Sequence, residues 1–549
     1  MPKRWLFPWL TSLSILLSAC TPDARPSAQQ PPSQTSGAVQ ILRVASLGAP
    51  PRNFHPYPEP QEYNQPLVDA WTLMGAGLIG VDYDKQDWVV DPRTDMAREL
   101  PTVSNDGRTF TFILRDDIKW SDGKPIVADD FVFAFENARK EENNFIGLDD
   151  LLRIESVRTP TQRTLEVTLD QTYARFIAVG FATLGPVPKH IWEGKPWLDP
   201  QGNPEILKPT VVNGPYVLKE VNADHHAYTR NPNWWGKRPN FDEVTFLNAG
   251  PQTALELLKT RQADWTQNVP PSQYADAKVS GNVNVVEWTG ATGSYRLVLF
   301  NLQRPFLSDK RVREALSRAI NRQDLVQFEE GLATPQFGLY PQGNTKWLNT
   351  SVERYEFDLS RSRQLLQDAG YRLDGTTLRD ASGQPVKIEI IWPTTSQPRG
   401  KIAAYLQQQW KGLGVDVVVT GLEFATFADK YSRQRDYDVA MGTYGGGSFD
   451  PDTVKEQYRT NGTQNTGGYS NPRVDQLLEQ GLVEQDESRR KQIYDEIQRL
   501  VVDDLPSFQM VTLKGLTAFD RRVTGVSPGK GGDILQQNNM QILDWSLAQ

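Results

Sequence analysis

The sequence predicts an α/β protein with mixed sheets, divided into about three structural units. Three observations carry this. The chain has 549 residues, more than one hydrophobic core organises. Segments with the two-residue period of strands alternate with segments of helical period. The C-terminal half contains a strand–helix–strand run from Val386 to Thr420, which implies a right-handed parallel crossover.

Taken in order, Ile41 to Ala45 reads as a buried strand, and Leu67 to Ile79 as a helix with Leu67, Ala70, Trp71, Met74 and Leu78 on one stripe. Thr109 to Leu114 alternates apolar and polar residues as a strand, behind the turn signal Asp106-Gly107. Val127 to Arg139 is an amphipathic helix whose Asp129 and Asp130 suit the positive end of the helix dipole. Thr164 to Leu169 alternates again, and Pro186 to Pro209 reads as loop. Short strands follow at Val211–Glu220, Ala227–Arg230 and Val244–Leu247, then a helix at Ala254–Arg261 and a strand at Tyr295–Asn301. Asp309 to Gly331 is helical, and Leu359 to Ala369 is a helix closed by Gly370. In the crossover, strand Val386–Ile391 leads to helix Arg399–Leu413, stopped by Gly414, and then to strand Val415–Thr420. Val439 to Tyr444 is a further strand and Glu487 to Asp504 a long amphipathic helix.

Composition narrows the function. Apolar residues make up 38%, charged residues 23% and aromatics 10%, with 15 Trp, 18 Tyr and 22 Phe, a foldable globular mixture. Mean hydropathy of -0.53 excludes a polytopic membrane protein. A net charge of -8 and a pI near 5.4 argue against nucleic acid as the main partner. A single Cys excludes an intrachain disulfide framework and a Cys-rich metal centre. Aromatics bring large contact area with little rotamer entropy to lose, which suits a binder. Most are nonetheless expected in the core, Trp71, Trp120, Trp234 and Trp235 included.

The N-terminus reads as an address. Lys3 and Arg4 precede an apolar run, Trp5 to Leu17, too short to span a bilayer as a helix. It ends in Leu17-Ser18-Ala19-Cys20, a lipobox-like cleavage signal holding the only Cys. Cleavage before Cys20 removes two of the 59 cations and no anion, leaving 57 against 67 and a net charge of -10. Thr21 to Gly37, rich in Pro, Ser and Gln, reads as a flexible tether. The expectation is a body held by lipid on the outer side of a bacterial membrane.

No catalytic motif stands out: the chain has no G-x-S-x-G, H-E-x-x-H or Walker A run. His225-His226 would make a poor chelate on a strand, where neighbours point to opposite faces, and both are expected in a solvated turn. The pairs Asp116-Asp117, Asp129-Asp130 and Asp503-Asp504 sit at helix ends or turns, where capping and solvation account for them. An enzyme is not expected, nor a cofactor or metal.

From Leu100 the sequence turns diagnostic. Leu100-Pro101-Thr102-Val103-Ser104-Asn105-Asp106-Gly107, Trp120-Ser121-Asp122-Gly123-Lys124-Pro125 and Ala128-Asp129-Asp130-Phe131 closely resemble the signature of family 5 extracellular solute-binding proteins, the peptide/nickel-type receptors of ABC importers. Further matches follow in order: Asn213-Gly214-Pro215-Tyr216, Arg230-Asn231-Pro232-Asn233-Trp234-Trp235-Gly236, Asp309 to Leu316 with Ala319-Ile320-Asn321-Arg322, and Ala369-Gly370-Tyr371. The resemblance covers nearly all of residues 40–549.

It implies a two-lobed periplasmic-binding-protein type II-like fold with a small extra domain inserted in the first lobe. The implied division is a signal peptide at 1–19, a lipidated Cys and tether at 20–39, the first lobe at 40–84, 209–291 and 513–549, the inserted domain at 85–208, and the second lobe at 292–512. The expected role is capture of a peptide or peptide-sized solute by hinge closure and delivery to ABC importer permease subunits, by a monomer. Alternatives are a receptor for oligosaccharide or another non-peptide solute, a secreted hydrolase, and a signalling or chaperone-like protein that kept the fold.

Ligand contacts are expected from Tyr63 and Gln65 of the first lobe, and from Tyr295, Trp392, Phe424, Tyr444, Gly445 and Asp450 of the second. In peptide-binding relatives the backbone matching Val439 to Asp450 pairs with the ligand as an added strand. Those relatives carry an Asp for the peptide's α-amine where this chain has Gly447. Either Asp450 substitutes for it, or the ligand has no free amine there. Of the two roles open to Asp450, capping or bracing the loop is favoured. The motif turns themselves are expected to be structural.

Overall fold

A computed structural model describes residues 39–46, 48–59, 62, 64–82, 84–143, 145, 147–177, 185–290, 293–445, 448, 450–527 and 541–548, with side chains at all of these except 149, 251 and 541. Gln40–Gln549 form one compact unit. Cys20 and the tether lie outside the described residues.

Three sheets organise this unit. A seven-stranded sheet runs, edge to edge, Val283–Trp288, Gly515–Asp520, Trp265–Thr266, Ile41–Ser46, Glu243–Asn248, His225–Arg230, Tyr216–Val221. Its central strand, Ile41–Ser46, is parallel to both neighbours. The two-residue period sends Leu42 and Val44 into a core with Tyr228, Phe246 and Trp265, and Ala45 into another with Leu255 and Leu258.

A six-stranded sheet runs Ala333–Pro335, Ser507–Leu513, Ser294–Phe300, Val439–Gly445, Lys387–Pro393, Asp416–Leu422. The last two strands are parallel, joined by helix Gln397–Lys411, as the sequence implied. Val298, Phe300, Val439 and Met441 face one core, and Leu297, Leu299, Ala440 and Tyr444 face the other. A four-stranded antiparallel sheet, Thr102–Val103, Thr109–Ile113, Thr164–Leu169 and Ile154–Thr161, packs with helix Ala128–Ala138 around Phe110, Phe112, Leu165, Val167, Phe131 and Phe135.

The chain passes between the two larger sheets twice, after Trp288 and after Leu513. Both passages share one junction, whose ends are paired. Trp288 stands opposite Gly515 in the seven-stranded sheet, and Tyr295 opposite Thr512 in the six-stranded one. Lys514 Nζ bonds Glu287 at 3.1 Å across it, and the ring of Trp288 lies over Gly515, leaving no room for a Cβ.

Several elements differ from expectation. Helix Gln65–Met74 ends five residues early. The Asn213 side chain bonds Ala76 N and O at 3.3 and 3.1 Å, and Gly214 presses on the Met74 backbone where a Cβ would collide. The motif Asn213-Gly214 is thus a structural stop. The helical region from Asp309 to Gly331 breaks into Lys310–Arg318 and Arg322–Phe328, because the Asn321 side chain caps a new start at Gln323 N, 3.0 Å away. The segment 186–209 contains a turn of helix at Lys189–Trp192 and a shorter one at Pro204–Ile206.

His226 is not in a solvated turn. It lies on strand His225–Arg230, is buried, stacks on Phe246 at 4.8 Å and shares a 2.7 Å hydrogen bond with the Tyr228 hydroxyl. Trp120 is fully buried, whereas Trp71, Trp234 and Trp235 are half-buried against the cores.

Candidate functional site

Strand Val439–Gly445 is paired along its full length with Ser294–Phe300, from Val439↔Phe300 to Gly445↔Ser294. On its other side it meets Lys387–Pro393 only at Val439 and Ala440. Beyond Ala440 the two strands part, so one edge of Gly442–Gly445 has no backbone partner among the described residues. Such an edge is a template for an added strand. Gly445 closes the strand with φ +99°, a left-handed conformation, and a Cβ there would strike Gly293 O.

This strand end opens onto a cavity of about 610 Å³. Tyr295, Thr443, Tyr444, Gly445 and Ser448 form its floor. Leu339 to Pro341 and Asn344 line one side, and Asp452 to Gln457 with Gln464 another. The facing wall belongs to the four-stranded unit: Gly147, Asp150, Arg153, Tyr173 and Arg175. A depression of about 640 Å³ beside Asp106, Gly107 and Gln485 is a more open surface groove, lined also by Thr172 and Val483, the sequence neighbours of Tyr173 and Leu482.

The wall is positioned by backbone. Immediately after strand Thr164–Leu169, Ala174 N donates to Leu482 O at 2.7 Å, docking the Tyr173-Ala174-Arg175 turn onto the helix Pro472–Val483. Arg175 then reaches Asp452 across the cavity, with Nη1 and Oδ2 3.5 Å apart. Tyr173 donates to Asp150 Oδ1 at 3.2 Å, and the Arg153 guanidinium lies 4.7 Å over the Tyr173 ring.

Burial, reinforced by the charge of Asp450, pushes the Asp452 carboxyl up to about 6. Burial works against the Arg175 guanidinium, but Tyr173, Asp452, Asp450 and Asp150 more than offset it and raise its pKa. Asp450 itself is committed elsewhere. Its two oxygens take Arg490 Nη1 and Nη2 at 2.9 and 3.1 Å in a buried bidentate pair, and Oδ1 caps Asp452 N at 2.9 Å.

Of the residues picked from sequence, Tyr295, Tyr444 and Gly445 are brought together on the cavity floor. Asp450 braces the adjoining turn and is not among the lining residues. Trp392 is not in the lining either; its ring packs over Gly400 and Gly421, where a Cβ would come within 2.6 and 3.0 Å of it. Phe424 begins helix Phe424–Ala428, is 55% exposed and stands outside the lining. Gln65 belongs to an interior network, donating to Asp69 Oδ1 at 2.7 Å, which also accepts from Gln267 at 2.9 Å. Tyr63 and Gly447 lie outside the described residues.

Sequence reasoning missed the entire wall from the four-stranded unit, because contacts were sought only in two lobes. The available signal was the charged turn Tyr173-Ala174-Arg175 directly after a well-formed strand.

Residues 91–466 match the family model for bacterial extracellular solute-binding proteins, family 5 Middle. The oligopeptide-binding protein OppA of Bacillus subtilis (strain 168) is 26% identical over 568 residues, spanning 97% of this chain and 98% of that protein. Protein XP55 of Streptomyces lividans is 27% identical over 440 residues, 79% of this chain and 78% of that one. Among solved structures, the ABC transporter substrate-binding protein CtaP of Listeria monocytogenes overlaps with a TM-score of 0.79 at 23% identity, covering 93% of this chain and 100% of that one. This overlap gives the fold as that of the two-lobed periplasmic binding proteins.

Proposed function

Since the chain belongs to family 5 of the bacterial extracellular solute-binding proteins, we propose that it captures a peptide or peptide-sized solute by hinge closure and delivers it to an ABC importer permease, without catalysing a reaction. The observation that carries this is the half-paired strand Val439–Gly445 at the cavity floor. Main-chain pairing along that edge holds an extended peptide whatever its side chains. The relative OppA of Bacillus subtilis is an oligopeptide-binding protein, which supports the same ligand class.

In this reading the junction flanked by Trp288, Ser294, Leu513 and Gly515 is the hinge. The first lobe is 40–84, 209–291 and 513–549, the insert 85–208, and the second lobe 292–512. The strand membership of the three sheets supports that division. A hairpin pairing Gly80–Asp82 with Asp87–Val89 straddles the first boundary, and Leu78 and Ile79 just before it share the core of the insert. Contacts from both sides of the cavity exist together only when it is closed, so ligand shifts the population toward that state. Cys20 carries the lipid that holds the body outside the membrane, and the receptor acts as a monomer. Among the described residues no helix is long and apolar enough to cross a membrane.

One observation favours a second reading, a receptor for oligosaccharide or another non-peptide solute: Gly447 has no carboxylate for an amine and Asp450 is engaged by Arg490. Thermal-shift titration with peptides, oligosaccharides and nickel chelates separates the two. Stabilisation by peptides, with a smaller radius of gyration in solution scattering, is expected. Stabilisation by sugars alone replaces the peptide reading with the second, and turnover of any ligand overturns both.

A further inference from the structure

Arg175 occupies an unusual position. With Arg153 it is one of two long cations of the wall supplied by the four-stranded unit, and its Nη1 points across the cavity to Asp452 at the loose ion-pair distance of 3.5 Å. Its Nε is buried and has no acceptor among the described residues. A guanidinium offers five N–H donors in a rigid fork, and a buried donor left without an acceptor is costly. The side chain is 24% exposed toward the cavity it lines, and the backbone of its turn is fixed by Ala174 N to Leu482 O at 2.7 Å and by the buried ring of Phe176 next in sequence.

We infer that Arg175 is a ligand-binding residue: its guanidinium, which lines the cavity and is only loosely paired, donates to a carbonyl or carboxylate oxygen of the captured solute. The four-stranded unit thus forms part of the binding wall and is not a mere appendage of the first lobe. Asp452 is the counter-ion that holds the guanidinium in reach while no ligand is bound, and it competes with the ligand's oxygen for the same fork. This inference rests on the peptide reading above and adds to it the residue that reads the ligand's oxygen from the far side of the cavity.

The test uses the full-length protein and oligoalanines of two to five residues, as free acids and as C-terminal amides, with binding followed by calorimetry. Arg175→Lys keeps the cation and its pairing with Asp452 but loses the planar fork of donors. It is expected to weaken binding roughly tenfold, the size of one lost charge-assisted hydrogen bond, with the melting temperature of the unliganded protein retained. Asp452→Asn, which removes the competitor, is expected to tighten binding a few-fold. Weakening of free acids alone identifies the oxygen as the terminal carboxylate, and equal weakening of acids and amides identifies a backbone carbonyl; both uphold the inference. Wild-type binding that Arg175→Lys leaves unchanged overturns it. So does weakening of binding by Asp452→Asn, since removing a competitor for the guanidinium cannot lower affinity. Failure of the wild type to bind any oligoalanine overturns the peptide reading itself, and this inference with it.

Discussion

Tyr295 and Tyr444 stand directly opposite one another on adjacent antiparallel strands, with both side chains buried. Neither hydroxyl is idle: Tyr295 donates to Leu339 O at 2.8 Å, while Tyr444 lies 3.3 Å from both the Tyr431 hydroxyl and Gln464 O. Burial raises both phenol pKa values well above their ordinary range, so both stay neutral donors at any physiological pH. The pair ties the strand end to two loops that rim the cavity.

Replacing Tyr444 by Ala is therefore expected to weaken ligand binding more than tenfold while the secondary structure is retained. Removing a buried aromatic side chain also costs about 3–5 kcal/mol of stability. Calorimetric titration beside circular dichroism checks this, and unchanged affinity would show that the cavity is not where the ligand sits.

Asp450→Asn should act differently. It leaves the buried Arg490 guanidinium, stacked 5.5 Å from Trp347 and 5.4 Å from Tyr494, without its bidentate partner. Breaking such a pair costs about 3–5 kcal/mol. The denaturation midpoint is expected to fall steeply, with ligand affinity within about threefold of wild type for lack of a direct contact. A large affinity loss at unchanged stability would return Asp450 to the ligand.

His226 predicts a pH dependence. Burial, with a smaller contribution from His225, lowers its pKa to about 3, well below the ordinary 6.5. Above pH 6.5 the ring is neutral in folded and unfolded chains alike. As the pH falls from 6.5 toward 3, the unfolded chain takes up a proton that the fold refuses, and stability is lost. Asp452 and Asp95, raised by burial to about 6 and 7, act in the opposite sense over pH 4–7. The informative quantity is the difference from His226→Phe: wild type should lose unfolding free energy relative to the variant, by on the order of 2 kcal/mol between pH 6.5 and 5. A difference independent of pH would mean that His226 is protonated in the fold.

Cys20→Ser should release the protein from membranes into the soluble fraction with ligand affinity unchanged. Fractionation of cells expressing the full chain reads this directly, and persistent membrane association would defeat the lipid-anchor reading.

Much of the second lobe was legible because its periodicities are clean. Helix Glu487–Asp504 lies where the apolar spacing put it, and the parallel crossover closes as its order required. The returning strands Ser507–Leu513 and Gly515–Asp520 were missed. They are buried on both faces almost throughout, which erases the two-residue alternation that marks a strand. Helix Pro472–Val483 was missed although Asn471 caps it and Pro472 opens it, both standard start signals. At the site, Tyr444 and Phe424 stand where relatives carry aromatics and Trp392 stands at a strand end; Tyr444 reaches the cavity with Gly445, whereas packing sends Trp392 onto glycines and Phe424 to the surface. No local pattern announces that Arg175 meets Asp452, because 277 positions of chain separate them.

As the proposed hinge, the junction at which the chain crosses from one large sheet to the other divides the labour of evolution in this molecule. Changes in its few peptide units retune the cost of closing for every cargo at once, as a spring constant does. Changes in the cavity walls alter which cargo is kept. Affinity and selectivity can therefore drift along separate stretches of sequence, and one scaffold can acquire new cargoes without relearning how to shut.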